Sequence, residues 1–472
     1  MLPDIQNAED GESQADMQFE LGNCFAKGKG VPVDLEEAAK RYEYAAQTGH
    51  AAAAFHLACC YAEGKGVELS QASAARWWSE AAELGHSGAQ FNLAMQYAHG
   101  EGVGQNKREA QRLLALAAKG GLMQAQFNLA SAYENGEGTP VDKAEAVRWY
   151  KAAAVQGHTW AAFNLAGCYL EGIGVEVEAK AGVRWLKRAA EAGFVPAQHK
   201  LAGCFQRGDG VPVDLGKAAR WLVTAGEGGH VPSQFQMGCC FAEGKGVTQD
   251  KKESVRWWKR AAEGGHPWAQ FNLGSCFLEG DGVKADLPTA MKYFSAAASQ
   301  GHAKAQCNLA SCYEESDPEE SFAWYMSAAQ QGDSLAQFNV GCSYKSGKGI
   351  KADIDEAMRW FLQSAEQGFP EAQIAVAKSY AKGTGVTRNH IKAKKWLLRC
   401  ANQYRSAPEG AEARALVDNW REMCANTACD QVEEAMLQFK ACSKCKCSFY
   451  CSHECQKAHW KEHKKMCGKH DE

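Results

Sequence analysis

The feature that most constrains this chain is a period. An aromatic residue recurs at Phe25, Tyr61, Tyr97, Tyr133, Tyr169, Phe205, Phe241, Phe277 and Tyr313, in steps of 36 residues. Glycine keeps the same step from Gly28 through Gly64, Gly100, Gly136, Gly172, Gly208 and Gly244 to Gly280, and a second glycine follows two residues after each. The register slips by five residues and resumes at Tyr344, Gly347 and Gly349, then at Tyr380, Gly383 and Gly385. Eleven units thus occupy residues 17–402, and the ninth, around 314–318, has lost its Gly-x-Gly loop. So strict a period implies a repeat architecture, in which each unit buries its faces against its neighbours.

Each unit reads as two helices. In the third, Ala89, Leu93 and Tyr97 lie four apart and share one face. The loop Gly100-Glu-Gly-Val103 ends that helix, because glycine tolerates the positive φ of a helix terminus. The second helix opens on Asp34 with Glu37, Asp142 with Glu145, Asp250 with Glu253, and Asp353 with Glu356, the spacing of a capping box. Large packing residues are expected at Trp77, Trp149, Trp185, Trp221, Trp257, Trp324, Trp360 and Trp396, followed by close-packed pairs such as Ala81-Ala82. One such hairpin cannot bury both its faces, but eleven stacked hairpins can. The expected fold is all-α: an α-solenoid of about eleven helix–turn–helix repeats, followed by a small zinc-stabilised domain.

The segments Ala89 to Tyr97 with Gly100 to Val103, and Ala269 to Phe277 with Gly280 to Val283, resemble the Sel-one-like repeat, a relative of the tetratricopeptide repeat. Aromatic, glycine and tryptophan columns all hold the period over about 380 residues. The resemblance implies a right-handed superhelix with a concave surface, used as a scaffold for protein complexes.

Several columns imitate chemistry. The Gly-x-Gly loops suggest phosphate cradles, but no strand precedes them and they recur at every helix–helix turn, so they read as turns. His50, His86, His158, His230, His266 and His302 stand singly at unit ends, and a helix-end or packing role is expected. Cys24, Cys60, Cys168, Cys204, Cys240, Cys276 and Cys312 share one column. Stacked helices lie roughly 8–10 Å apart, beyond the roughly 7 Å limit of a disulfide, so these read as small buried apolar residues. Bridges between Cys59 and Cys60 or Cys239 and Cys240 would be strained and are not expected. An amide ladder is open to two readings. Asn92, Asn128, Asn164, Asn272, Asn308 and Asn339, with Gln90, Gln126, Gln270, Gln306 and Gln337, either bind the backbone of an extended ligand or satisfy groups between repeats; the second is favoured. Phe55, Phe91, Phe127, Phe163, Phe235 and Phe271 read as core.

Beyond the repeats, Ser406 to Met423 reads as a sealing helix, with Ser406 and Glu409 as its capping box and Leu416, Val417 and Trp420 as its apolar stripe. Then Cys424 and Cys429, Cys442 and Cys445, Cys451 and Cys455, and His463 and Cys467 form four pairs at short spacing, enough for two tetrahedral zinc sites. A segment this short cannot build a stable apolar core; metal must supply on the order of 10 kcal/mol per structural site.

Cys442-Ser-Lys-Cys445, Tyr450-Cys451-Ser, Cys455-Gln-Lys, Trp460, His463 and Cys467 resemble the MYND zinc finger, whose pairs cross-brace. The resemblance implies Cys424, Cys429, Cys451 and Cys455 on one zinc and Cys442, Cys445, His463 and Cys467 on the other. It also implies a site for proline-rich peptides at Ser443, Gln456 and Trp460. The wide first pair and its long spacer to Cys442 depart from the pattern. Cys447 is an unpaired extra, and His459 is a second candidate ligand. Eight ligands for two ions leave no open coordination position, so a zinc hydrolase is not expected.

The expected division is a flexible acidic N-terminus over 1–16, the solenoid over 17–402, a capping or linker helix over 403–423, the finger over 424–467 and a tail over 468–472. No apolar run approaches the roughly 20 residues of a membrane span, and the polar, acidic start is unlike a secretory signal. These point to an intracellular protein, cytoplasmic or nuclear. The expected function is a non-enzymatic scaffold or adaptor with protein partners. The alternative is a nucleic-acid-associated regulator using the seven lysines between Lys440 and Lys465, although the net charge of −4 lacks a nucleic-acid binder's basic surplus.

Overall fold

The computed structural model describes residues 11–418, together with the strand pair Lys440–Ala441 and Phe449–Tyr450. Among the described residues there are twenty-three helices. The chain divides into two compact units, one ending at Gln249 and the other beginning at Asp250. In the first unit every helix from Gly11–Lys27 to Val231–Glu243 packs on the next one in the chain. The same rule holds in the second unit from Lys251–Glu263 to the last helix, Pro408–Asp418. Contacts that are almost wholly nearest-neighbour define an α-solenoid.

The uniform helix length has local causes. Most helices span 13 residues, as in Ala51–Glu63 and Gln71–Glu83. The first helix of a repeat ends where Gly64, Gly100, Gly136 or its equivalent takes the left-handed conformation and its amide closes on a carbonyl four residues back. Except in the fifth repeat, where Glu178 stands at the start, the second helix opens on an aspartate, asparagine or serine; Asp34 accepts from the Glu37 amide at 3.0 Å. The ninth unit lacks the glycine loop, as expected, and turns between helices Ala303–Tyr313 and Pro318–Gln330.

The capping box is only half formed. The backbone amide that the glutamate would take is already used: Asp34 donates to the Phe25 carbonyl at 3.1 Å, Asp142 to Tyr133 at 2.9 Å and Asp353 to Tyr344 at 2.9 Å. The glutamates turn outward instead, Glu37 to Arg41, Glu145 to Arg148, Glu253 to Arg256 and Glu356 to Arg359.

The core also lies one residue from where the tryptophan column places it. Trp77 and Trp257 are buried, but Trp149, Trp185, Trp221, Trp324, Trp360 and Trp396 are half-buried. The next residue goes deepest, as Tyr150, Leu186, Leu222 and Phe294 show. The tryptophans form the boundary layer. Guanidinium groups lie 4.9 Å from the rings of Trp185 and Trp257 and 5.2 Å from that of Trp396, covering faces the stack leaves open. Alanines such as Ala53, Ala54, Ala74 and Ala81 are fully or almost fully buried, which lets the helices approach closely.

Both ends of the array shift from the expected boundaries. The first helix begins at Gly11, inside the stretch 1–16 expected to be flexible, because Ala15 is buried and Asp16 pairs with His50 at 3.1 Å. The last helix begins at Pro408. Its first turn closes from the Ala411 amide onto the Ala407 carbonyl, so Ser406 stands one residue outside the cap. Leu416 and Val417 pack on the cluster of Ile374, Ala393 and Leu397, which is the expected seal. Trp420 and Met423 lie outside the described residues.

Candidate interaction surfaces and the cysteine-rich end

Much of the polar periodicity is spent on the joints between repeats. Each histidine of the unit-end column opens the following helix, its Nδ1 accepting an amide from Ala53, Ala89, Ala161, Ser233, Ala269 or Ala305 at 3.0–3.3 Å. Four of the rings stack on a phenylalanine of the repeat they close: Phe19 on His50, Phe55 on His86, Phe127 on His158 and Phe271 on His302, with centroids 4.4–4.9 Å apart. Burial lowers the pKa of His86, His158, His230, His266 and His302. That keeps Nδ1 free to accept. The helix-end role expected from the sequence is therefore observed, and Phe55, Phe91, Phe127, Phe163 and Phe271 pack against the core as expected.

The amide ladder splits in two. Gln90, Gln126, Gln270, Gln306 and Gln337 are buried, each donating to an alanine carbonyl at the end of the preceding helix at 3.1–3.3 Å. Four of them also accept from Gln156, Gln300, Gln331 or Gln367 at 2.8 Å. These glutamines satisfy groups between helices, as favoured. The asparagines differ. All six are half-buried. Asn128 approaches the Met95 sulfur at 3.7 Å and Asn164 bonds the Tyr150 hydroxyl. Asn92, Asn272, Asn308 and Asn339 make no side-chain hydrogen bond among the described residues, so they remain available to a ligand.

From the second unit onward, the second glycine of the loop is a joint rather than a cradle. A Cβ on Gly66 would lie 2.0 Å from the Leu35 carbonyl oxygen, and one on Gly174 2.2 Å from that of Lys143. The loop thus sits directly on the preceding repeat. The repeat cysteines are free thiols. Burial pushes Cys59, Cys168, Cys240 and Cys276 up to about 11, so they are protonated and unreactive near neutral pH.

Grooves open between the first helices of neighbouring repeats. One of 380 Å³ lies between repeats three and four, beside Met95, His99, Phe127 and Asn128. Another, of 540 Å³, lies between repeats ten and eleven over Phe338, Phe361 and Ile374. Sequence reasoning missed both; their signal is residues that break a column.

At the cysteine-rich end, the expected ligands Cys424, Cys429, Cys442, Cys445, Cys451, Cys455, His463 and Cys467 lie outside the described residues, as do Ser443, Gln456 and Trp460. The described part is an antiparallel strand pair, Lys440 opposite Tyr450 and Ala441 opposite Phe449. No helix among the described residues is long and apolar enough to cross a membrane.

Comparison with known proteins agrees with this arrangement. The family profile of the Sel1 repeat matches eleven successive segments, from residues 15–50 to 370–404. The profile of the MYND finger, a zinc-binding domain, matches residues 424–467. Among solved structures, a protective antigen of uropathogenic Escherichia coli strains displaying an SLR fold is 30% identical, with a TM-score of 0.73, over 87% of this chain and 92% of its own. A Sel1 repeat protein from Oxalobacter formigenes is 27% identical over 72% of this chain and 89% of its own, with a TM-score of 0.44. No curated protein matches the chain. Sel1 repeats and a MYND finger fit a protein-interaction scaffold. The chain belongs to the Sel1 repeat family, and its repeat array is followed by a match to the MYND finger.

Proposed function

We propose that the chain is a non-enzymatic adaptor: the array gathers protein partners, and the finger docks a proline-rich peptide segment. The observation that carries this reading is the ligand order within 424–467, six cysteines and one histidine closing on Cys467 in four short-spaced pairs. Thiolate and imidazole donors in that number suit two tetrahedral zinc ions, with Cys424, Cys429, Cys451 and Cys455 around one and Cys442, Cys445, His463 and Cys467 around the other. All eight donors are consumed by structure, and no open metal position remains for catalysis.

Trp460, fixed between Cys455 and His463 in sequence, offers a flat apolar face to a proline ring. Gln456 offers an amide to the peptide backbone, the chemistry of extended proline-motif recognition. Holding both against a metal framework lowers the entropy lost on binding. The test measures zinc content and affinity for a proline-rich peptide library in Trp460→Ala and Gln456→Ala. Both variants should keep their zinc and lose peptide binding. Wild-type affinity in both, or no binding by the wild type, would overturn the docking role. Zinc-dependent binding of nucleic acid by the full chain would instead favour a regulator that uses the lysines of residues 440–465.

A further inference from the structure

Eleven copies of one hairpin reveal which side chains the fold requires. A departure from a column is therefore a residue the fold does not ask for. Two residues before the repeat aromatic, the other ten units carry an uncharged residue, such as Cys59, Ser131 or Gly167; the eleventh carries Lys378. One residue after the aromatic, the column holds Ala62, Ala98 and Ala242, and no other unit has a base where the tenth has Lys345.

These two lysines, with Lys382, line the 540 Å³ groove in the second unit. Its walls are the helices Ser334–Ser346 and Pro370–Lys382, and the final helix, Pro408–Asp418, adds Glu412. The floor is apolar, formed by Phe338, Phe361 and Ile374. Lys378 is held by Glu412 at 3.0 Å. Lys345 and Lys382 are exposed and have no ion pair among the described residues. Both belong to the last turn of their helices, where the helix dipole favours positive charge. Glu371 lines the other end, so the positive potential gathers at one end of an apolar trough. The matching groove between repeats three and four is smaller, at 380 Å³, and carries a single lysine, Lys107, with Glu137. Of these two grooves, the one between repeats ten and eleven is the basic one.

We propose that this groove binds an acidic peptide segment, with an apolar side chain on the Phe338 and Ile374 floor and carboxylates at Lys345 and Lys382. This rests on the scaffold reading and names the chemistry of one partner. A groove of this size accommodates a few residues, and exposed lysines act as salt-screened point charges rather than as shaped receptors.

The test uses the full zinc-loaded chain and a fluorescein-labelled heptapeptide of alternating glutamate and leucine, read by anisotropy. A heptapeptide with glutamine for glutamate is the comparator. The acidic peptide should bind and weaken steeply with salt, and the glutamine peptide should not bind. Lys345→Glu with Lys382→Glu should weaken binding roughly tenfold or more, with helical circular dichroism unchanged. Lys151→Glu, elsewhere on the array, and Trp460→Ala should leave it unaltered. The proposal is overturned if the acidic peptide does not bind, if both peptides bind alike, or if the double variant binds as wild type does. It is also overturned if single-stranded RNA of similar length binds more tightly with the same lysine dependence. Should it fail while the finger still binds proline-rich peptides, the adaptor reading stands and only this site is lost.

Discussion

Gly66→Ala and Gly30→Ala change the same loop position in adjacent repeats, yet the first should cost about twice as much as the second. Both glycines have positive φ, +72° and +78°. An alanine at either therefore pays a left-handed penalty of about 1–2 kcal/mol. At Gly30 nothing lies within 4 Å of the added Cβ. At Gly66 that atom would sit 2.0 Å from the Leu35 carbonyl oxygen, 2.3 Å from its carbon and 2.8 Å from the Glu36 amide nitrogen. These are backbone atoms in the first turn of helix Leu35–Gln47, so no rotamer change relieves the clash. The joint must open, at about 1–3 kcal/mol by analogy with overpacked cores. The sum is about 2–5 kcal/mol for Gly66→Ala, against about 1–2 kcal/mol for Gly30→Ala. Repeat arrays need not unfold in one step, so the assay is hydrogen exchange resolved by helix, with thermal melts beside it. Gly66→Ala should release protection in helices Leu35–Gln47 and Ala51–Glu63, and Gly30→Ala should leave both nearly unchanged. Equal costs would refute the claim that the second glycine exists to seat one repeat on the next. Protection by added phosphate would reinstate the cradle.

Stability should fall on both sides of a plateau at about pH 7–8.5. Histidine pKa values lowered by burial mean that the unfolded chain binds more protons, so stability is lost as pH falls below about 6.5. The raised thiols of Cys168, Cys240 and Cys276 remove stability as pH rises above about 8.5 towards their folded values near 11. Melts across this range check both edges, and His158→Asn, which keeps a cap but no titration, should flatten the acid edge. The purified protein should hold two zinc ions, and a chelator should unfold residues 424–467 while sparing the helical signal. Elemental analysis finding one zinc or none, or repeats that melt with the chelator, contradicts this.

What the sequence discloses depends on whether a residue's role is local. Glycine caps, aspartate caps and the paired helices follow from backbone rules within a dozen residues, and the period repeats each signal eleven times. The partner choices of Glu37 and Glu145 were not legible. They depend on the Asp34 and Asp142 amides being engaged by Phe25 and Tyr133, nine residues earlier and across a loop. The one-residue displacement of the core has a similar cause. Tryptophan is the largest residue in its column, but at most positions its size suits the boundary, where Arg188 and Arg399 cover Trp185 and Trp396. The histidine column was readable as a helix-end feature; that the rings of His86, His158 and His302 also stack on Phe55, Phe127 and Phe271 needs the fold.

The same residue type meets two fates here, and physics separates them. Twelve of the chain's twenty cysteines lie among the described repeat residues, all free. Burial raises many of these thiols, and repeat spacing keeps the column members on separate helices. A protonated, isolated thiol is a poor zinc ligand, because metal binding needs thiolates converging on one ion. From Cys424 to Cys467 the spacing contracts to two, three or four intervening residues within most pairs, and histidine joins. On the proposed ligand set, zinc supplied to the whole chain should go to residues 424–467, although cysteine is present along nearly all of its length. The arrangement lets a cysteine-rich array fold without metal and reserves the metal for the terminal module. The glutamines, histidines and glycines of the array are likewise committed to its joints. Asn92, Asn272, Asn308 and Asn339, with Lys345 and Lys382 at the groove between repeats ten and eleven, are among the polar groups that the joints leave free to meet a partner.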